Sequence, residues 1–251
     1  MEKLLLDGKW ELHYAPEHAG KTTAQAVKED PAYTHIEANV PGNAELDLYA
    51  AGKAPEPFWG TNLYAFRPYE FYEWWYTRAF VAPQALADRG AVLCLDGVDT
   101  FSTVYLNGTA VGETNDMMLE YRFDVTEALR EGENEIAVHI RSTVNAARNM
   151  DYPMGVRGPG WEHTDEMICV RKPGHMFGWD IAPRFVSAGL WRSVSICPKR
   201  DTYFKEVYMT NAARGQGTCA GTAEVPFCSG RPDAGGVCGA GARHVCGKLF
   251  L

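Results

Sequence analysis

The sequence predicts an all-β chain folded as an antiparallel β-sandwich of jelly-roll type, followed by an irregular C-terminal tail. Three observations predict it. Long helical periodicity is nearly absent from the 251 residues, short β-type segments recur between Gly, Pro, Asn and Asp, and aromatic residues reach 12%. Many short strands with little helix must bury their apolar faces sheet against sheet.

The elements follow in chain order. Asn43 is placed to cap a short helix over 45–51, with Gly52 just past its end. Residues 73–81 and 91–95 read as strands, the second apolar enough for a sandwich core. Val104-Tyr105-Leu106, Asn107-Gly108 and Thr109-Ala110-Val111 form a predicted hairpin, because Asn-Gly supplies the two positive-φ positions of a type I′ turn. A turn or two of helix is expected within 126–130. The clearest strand is 135–141, where Ile136, Val138 and Ile140 alternate with Glu135, Ala137, His139 and Arg141. Period two of this kind buries one face and leaves the other largely wet. Further strands are expected at 192–197 and 205–210, and one more begins at 222–227.

Composition changes near Ala213. The last 39 residues hold 9 of the 25 Gly and 4 of the 7 Cys, but no Trp or Tyr. Such a segment buries too little surface to offset its ordering entropy. It has the residue mix of a GC-rich gene read out of frame. Cys219, Cys228, Cys238 and Cys246 show no C-x-x-C spacing, so no metal site is expected there. Cys94, Cys169 and Cys197 read as buried thiols.

Charge and hydropathy exclude several functions. With 24 Lys and Arg against 32 Asp and Glu, net charge is −8, and no basic stripe suits nucleic acid or an anionic membrane. No apolar run approaches the roughly 18 residues of a membrane span. Leu4-Leu5-Leu6 is too short for the core of a signal peptide, so a cytoplasmic chain is expected. No cofactor motif of the P-loop, G-x-G-x-x-G or H-E-x-x-H kind occurs.

Chemistry concentrates in 171–192, which sets Phe177 and Trp179 beside Asp180 and Arg184, with Gly178 and Pro183 bending the chain. Aromatic faces plus a few directed polar groups are what a sugar pocket needs. The plainer reading is a loop pinned to the sandwich by Phe177 and Trp179, with Asp180 paired to Arg184. A second stretch, from Asp151 to Glu166, holds Trp161, Glu162, His163 and Asp165. Nothing in its spacing enforces the carboxyl separation of about 5 to 9.5 Å that glycoside hydrolysis uses, and a solvated loop is the plainer reading. Exposed Trp59, Trp74, Trp75 or Trp161 could form a sugar platform, although Trp in a period-two strand more often belongs to a core.

Three blocks of sequence resemble the N-terminal sugar-binding, galactose-binding-like domain of family 2 glycoside hydrolases, most of all its β-mannosidase branch. The first runs from Val40-Pro41-Gly42-Asn43 through Ala51-Gly52-Lys53 to Pro57-Phe58-Trp59-Gly60. The second joins Trp74-Trp75-Tyr76, Leu95-Asp96-Gly97-Val98-Asp99, Val104 to Gly108, Phe123 to Thr126, and Gly132-Glu133-Asn134. The third is Arg171-Lys172-Pro173, His175 to Asp180, Pro183-Arg184 and Ala188-Gly189-Leu190-Trp191-Arg192. The resemblance covers about residues 1 to 210.

It implies a jelly-roll domain over 1–200, the start of an immunoglobulin-like sandwich over 201–227, and an irregular Gly- and Cys-rich tail over 228–251. In such enzymes a (β/α)₈ barrel carries both glutamates of a retaining mechanism. The resemblance puts a glycone contact in the −1 subsite on Asp180, a pocket wall on Trp179, and loop support on Phe177 and on Arg184, the latter through Asp180. It implies no catalytic residue here, and as partners a β-linked mannoside or related sugar and the catalytic barrel of the same enzyme. Ile181 replaces the second Trp of the branch's Trp-Asp-Trp, and Ala182 replaces a Gly. The expected function is therefore an accessory domain fragment of an exo-β-glycosidase, inactive alone. Alternatives are a stand-alone carbohydrate-binding module, another family 2 glycosidase of β-galactosidase or β-glucuronidase type, and a structural or interaction domain.

Overall fold

The computed structural model describes residues 3–18, 23–151 and 166–199, together with the backbone of short strands between 202 and 245. The chain divides into two compact units, Met1–Pro198 and Lys199–Leu251.

The first unit is a sandwich of two antiparallel sheets. One sheet has four strands, β1 (Leu4–Leu5), β10 (Val194–Pro198), β5 (Ala91–Leu95) and β8 (Tyr121–Asp124), in that spatial order. The other has six: β3 (Thr34–Val40), β2 (Gly8–Pro16), β4 (Tyr72–Ala82), β9 (Gly132–Ile140), β6 (Ser102–Leu106) and β7 (Thr109–Thr114). Their inner faces meet in one core that includes Trp10, Leu12, Trp74, Tyr76, Leu93, Leu106, Val138 and Ile196. Full burial of such side chains contributes about 1.5 to 3 kcal/mol each.

Local chemistry sets the elements. Asn107 (φ 52°) and Gly108 (φ 79°) both adopt positive φ, and the hairpin β6–β7 turns on them. Helix α2 (Ala44–Ala50) starts where the Asn43 side chain accepts from the Leu46 N–H at 2.9 Å, and Gly52 follows with φ 67°. The segment 126–130 forms turns rather than a helix, with the Leu129 N–H donating to the Val125 carbonyl at 2.8 Å.

Several elements lack the signals sought in the sequence. β2 carries buried residues on both faces, so it shows no clean alternation. Helix α1 (Ala24–Glu29) lies over its outer side, where Ala15, Val27, Tyr33 and Trp75 form a small cluster. Helices α3 (Gln84–Arg89), α4 (Thr143–Arg148) and α5 (Glu166–Cys169) are one turn or little more, and a 3₁₀ segment spans Asn62–Phe71. No described helix is long and apolar enough to cross a membrane.

The second unit contains a pair, β11 (Thr202–Phe204) with β14 (Phe227–Ser229), and a three-stranded sheet of β12 (Tyr208–Gly215), β13 (Thr218–Val225) and β15 (Arg243–Val245). Within the tail, β14 and β15 are three residues each. The remaining tail residues lie outside the described set. Cys94 is a buried free thiol and Cys197 a half-buried one; the Cys169 side chain lies outside the described set.

Candidate functional site

The loop predicted to carry sugar chemistry leaves the sandwich through a 3₁₀ turn, Gly174–Phe177. Phe177 is fully buried in a second cluster with Phe101, Val144, Ala147, Val170 and Val186. Gly178 (φ 107°) then redirects the chain. Trp179 and Ala182 close a tight turn by exchanging backbone hydrogen bonds of 2.8 and 3.2 Å. Asp180 and Ile181 therefore occupy a tip. Ile181 is 90% exposed, Trp179 is 51% exposed, and Asp180 makes no hydrogen bond or ion pair among the described residues.

The segment returning from the tip is held by charge. Arg184 is buried, and its Nε donates to Glu70 Oε1 at 3.1 Å and Oε2 at 3.0 Å. Its Nη2 donates to Glu70 Oε2 at 2.7 Å and to Glu166 Oε2 at 2.8 Å. Glu166 Oε1 accepts from Arg148 Nε at 2.5 Å, and Arg67 Nε lies 3.3 Å from Glu70 Oε1. Burial acts to lower the Arg184 pKa, but hydrogen bonds to Glu70 and Glu166 outweigh it and hold the guanidinium above its usual value. The same guanidinium lies over the Phe177 ring, 5.4 Å from its centroid. A cleft of about 420 Å³ opens here, lined by Tyr64, Arg67, Pro68 and Phe71 beside Glu70, Arg148 and Arg184.

This network corrects one expectation. Arg184 supports the loop through Glu70 and Glu166, not through Asp180. A buried guanidinium needs buried carboxylates, whereas Asp180 faces solvent at the turn. Phe177 is buried beneath the Arg184 guanidinium. Trp179 is half exposed rather than enclosed in a pocket wall. Of the second candidate stretch, Glu166 proves to be a structural ion-pair partner, and Trp161, Glu162, His163 and Asp165 lie outside the described residues. Trp74 and Trp75 are core residues at 2% and 1% exposure, while Phe58 (82%) and Trp59 (75%) point to solvent.

The three resembling blocks converge beneath the loop. Gly42 N–H donates to the Leu190 carbonyl at 2.9 Å, Ala44 N–H to Ala188 at 2.8 Å, and Asp99 N–H to Gly189 at 2.9 Å. A Cβ on Gly189 would sit 2.8 Å from Asn43 Cα and 2.9 Å from the Gly42 carbonyl oxygen, so only glycine permits this approach. Lys172 Nζ forms a buried ion pair with Asp99, which also accepts from Ser187 Oγ at 2.9 Å. Nearby Glu45 is fully buried, and burial pushes its carboxyl up to about 8. On β2 and β3, Glu11, His13 and His35 each bring one possible donor atom within 4.8 Å of the others.

Residues 16–192 match the glycosyl hydrolase 2 galactose-binding domain-like family. The chain is 31% identical over 192 residues to beta-mannosidase B of Thermothelomyces thermophilus, covering 76% of this chain and 21% of that protein. It is 30% identical over 188 residues to a probable beta-mannosidase of Caenorhabditis elegans, covering 70% and 21%. A beta-D-mannosidase structure from Dictyoglomus thermophilum superposes with a TM-score of 0.76 at 30% identity, over 90% of this chain and 26% of that one. A Bifidobacterium dentium beta-glucuronidase shares the fold at 22% identity and a TM-score of 0.57. The chain spans about a fifth of the length of these curated relatives. The sandwich, its braced loop and these matches together show that the chain belongs to glycoside hydrolase family 2, as a β-mannosidase-like domain of the galactose-binding-domain-like fold.

Proposed function

We propose that the sandwich is the N-terminal accessory domain of a retaining exo-β-glycosidase of β-mannosidase type, and that it helps shape the −1 sugar subsite of a catalytic barrel. On this reading the second unit begins the immunoglobulin-like sandwich that separates the two. One observation carries the proposal: Asp180 is presented uncommitted at the tip of a turn whose base is locked by Phe177 and Arg184. A carboxylate held out on a rigid base can meet sugar hydroxyls supplied with a partner domain, with little conformational entropy left to lose.

The domain supplies positioning, not bond cleavage. Hydrolysis with retention needs an acid/base and a nucleophile about 5 to 5.5 Å apart. Glu166 and Glu70 are committed to ion pairs with Arg148 and Arg184, which leave neither free for that role. The chain alone is therefore expected to leave a chromogenic β-mannoside intact. In the enzyme carrying its barrel, Asp180→Ala should lower kcat/KM by more than about tenfold, the loss expected for a hydroxyl contact strengthened in the transition state. Kinetics equal to the parent would remove Asp180 from the subsite.

The exposed pair Phe58 and Trp59 favours a second reading, a free-standing carbohydrate-binding module. Measurable affinity of the chain alone for β-mannosides, abolished by Trp59→Ala, would select it. We further propose a reducing, cytoplasmic setting, in which Cys94 and Cys197 would remain thiols.

A further inference from the structure

The outer face of the six-stranded sheet holds a side-chain group that the sugar-loop reading leaves unused. Glu11 and His13 are two residues apart on β2 and project from the same face. His35 stands directly across on β3, in register with His13. The two imidazoles stack with centroids 4.7 Å apart, and His13 Nε2 lies 4.0 Å from Glu11 Oε2. One donor atom from each of the three lies within 4.8 Å of the others.

His13 is only 6% exposed, yet its Nε2 has no hydrogen-bond partner among the described residues. A buried imidazole nitrogen in that state is unfavourable, and a ligand that uses its lone pair relieves the deficit. We propose that Glu11, His13 and His35 form a site for a single divalent transition-metal ion of the zinc class. Two imidazoles and one carboxylate suit such an ion and leave a fourth position to water.

Donors around a tetrahedral zinc sit about 3.4 Å apart and the ion lies in the plane of each imidazole, so the exposed His35 ring must swing out of its stack on His13 and Glu11 must turn inward. His13 is the fixed member. Thr77 Oγ1 donates to Glu11 Oε2 at 3.4 Å and steadies the carboxylate. The nearby cations are already neutralised, Lys28 by Glu135 and Lys9 by Glu37.

The test is titration of the chelator-treated full chain with Co²⁺, read by visible absorption, then displacement by Zn²⁺. One equivalent should bind with d–d bands of nitrogen and oxygen ligation and no thiolate charge-transfer band. His35→Ala should abolish this signal, and Glu11→Gln should weaken binding at least tenfold. Both positions are exposed, so metal-free variants should melt with the parent, which separates ligand loss from unfolding. An unchanged titration in His35→Ala, a thiolate band pointing to the cysteine-rich tail, or no binding at millimolar Co²⁺ would each overturn the proposal.

Discussion

Glu45 shows how one buried group can tilt stability against pH. Its folded pKa of about 8 lies above the ordinary carboxyl value of 4.5. Between those values the folded chain binds a proton that the unfolded chain has released, so stability falls as pH rises through the window and levels off above it. The stabilising contribution is complete below about 4.5 and gone above about 8. Glu45→Gln removes the ionisable group while keeping the shape. Chemical denaturation between pH 5 and 9 should show the parent losing stability that the variant keeps, on the order of a few kcal/mol. Parallel curves for the two proteins would mean that Glu45 is ionised in the folded state.

At the scale of elements, Arg184 ties together pieces that are far apart in sequence: the 3₁₀ segment through Glu70, α5 through Glu166, and the returning arm of the loop. Arg184→Ala would leave two carboxylates buried without their partner and should cost about 3 to 5 kcal/mol, measured by urea unfolding of the full chain. Arg184→Lys should recover only part of this, because an ammonium cannot reproduce the two-pronged contact with Glu70. Equal stability of Arg184→Ala and the parent would show that the loop is braced elsewhere. The same elements mark what the sequence discloses. Strands with one dry and one wet face, such as β9, and the Asn107-Gly108 hairpin were legible because their signals are local. β2 was not, because α1 and Tyr33 cover its outer side and erase the alternation. The Arg184 network was not legible either, since Glu70 lies 114 residues away and no local spacing links the two. Trp179 and Asp180 could be singled out by composition and resemblance, but their exposure depends on a turn closed by backbone bonds, which side-chain chemistry does not announce.

For the whole molecule, the exposed apolar side chains have a common implication. Phe58, Trp59 and Tyr64 lie on one segment, and Trp179 and Ile181 on the loop tip. The supporting segments touch through Phe66 and Phe185, whose rings pack edge to face at 5.5 Å. Large apolar side chains left uncovered in this way favour association. The isolated chain should therefore sediment with concentration-dependent mass. Replacing Phe58, Trp59 and Ile181 together by Ser should shift it toward monomer with little change in melting temperature. Strict monomer behaviour of the parent at high concentration would argue against a docking face here.

The turn at Trp179–Ala182 has a consequence for how such a domain can change over time. Its closure is made by main-chain atoms, and the side chains of Asp180 and Ile181 contribute nothing visible to the core. Mutations at these two positions are thus nearly free of a folding penalty, whereas mutations at Phe177 or Arg184 are not. On the proposed sugar-contacting role of the tip, preference can drift there while the scaffold stays under strict constraint, so new specificities would be reachable by single substitutions that never pass through an unstable intermediate.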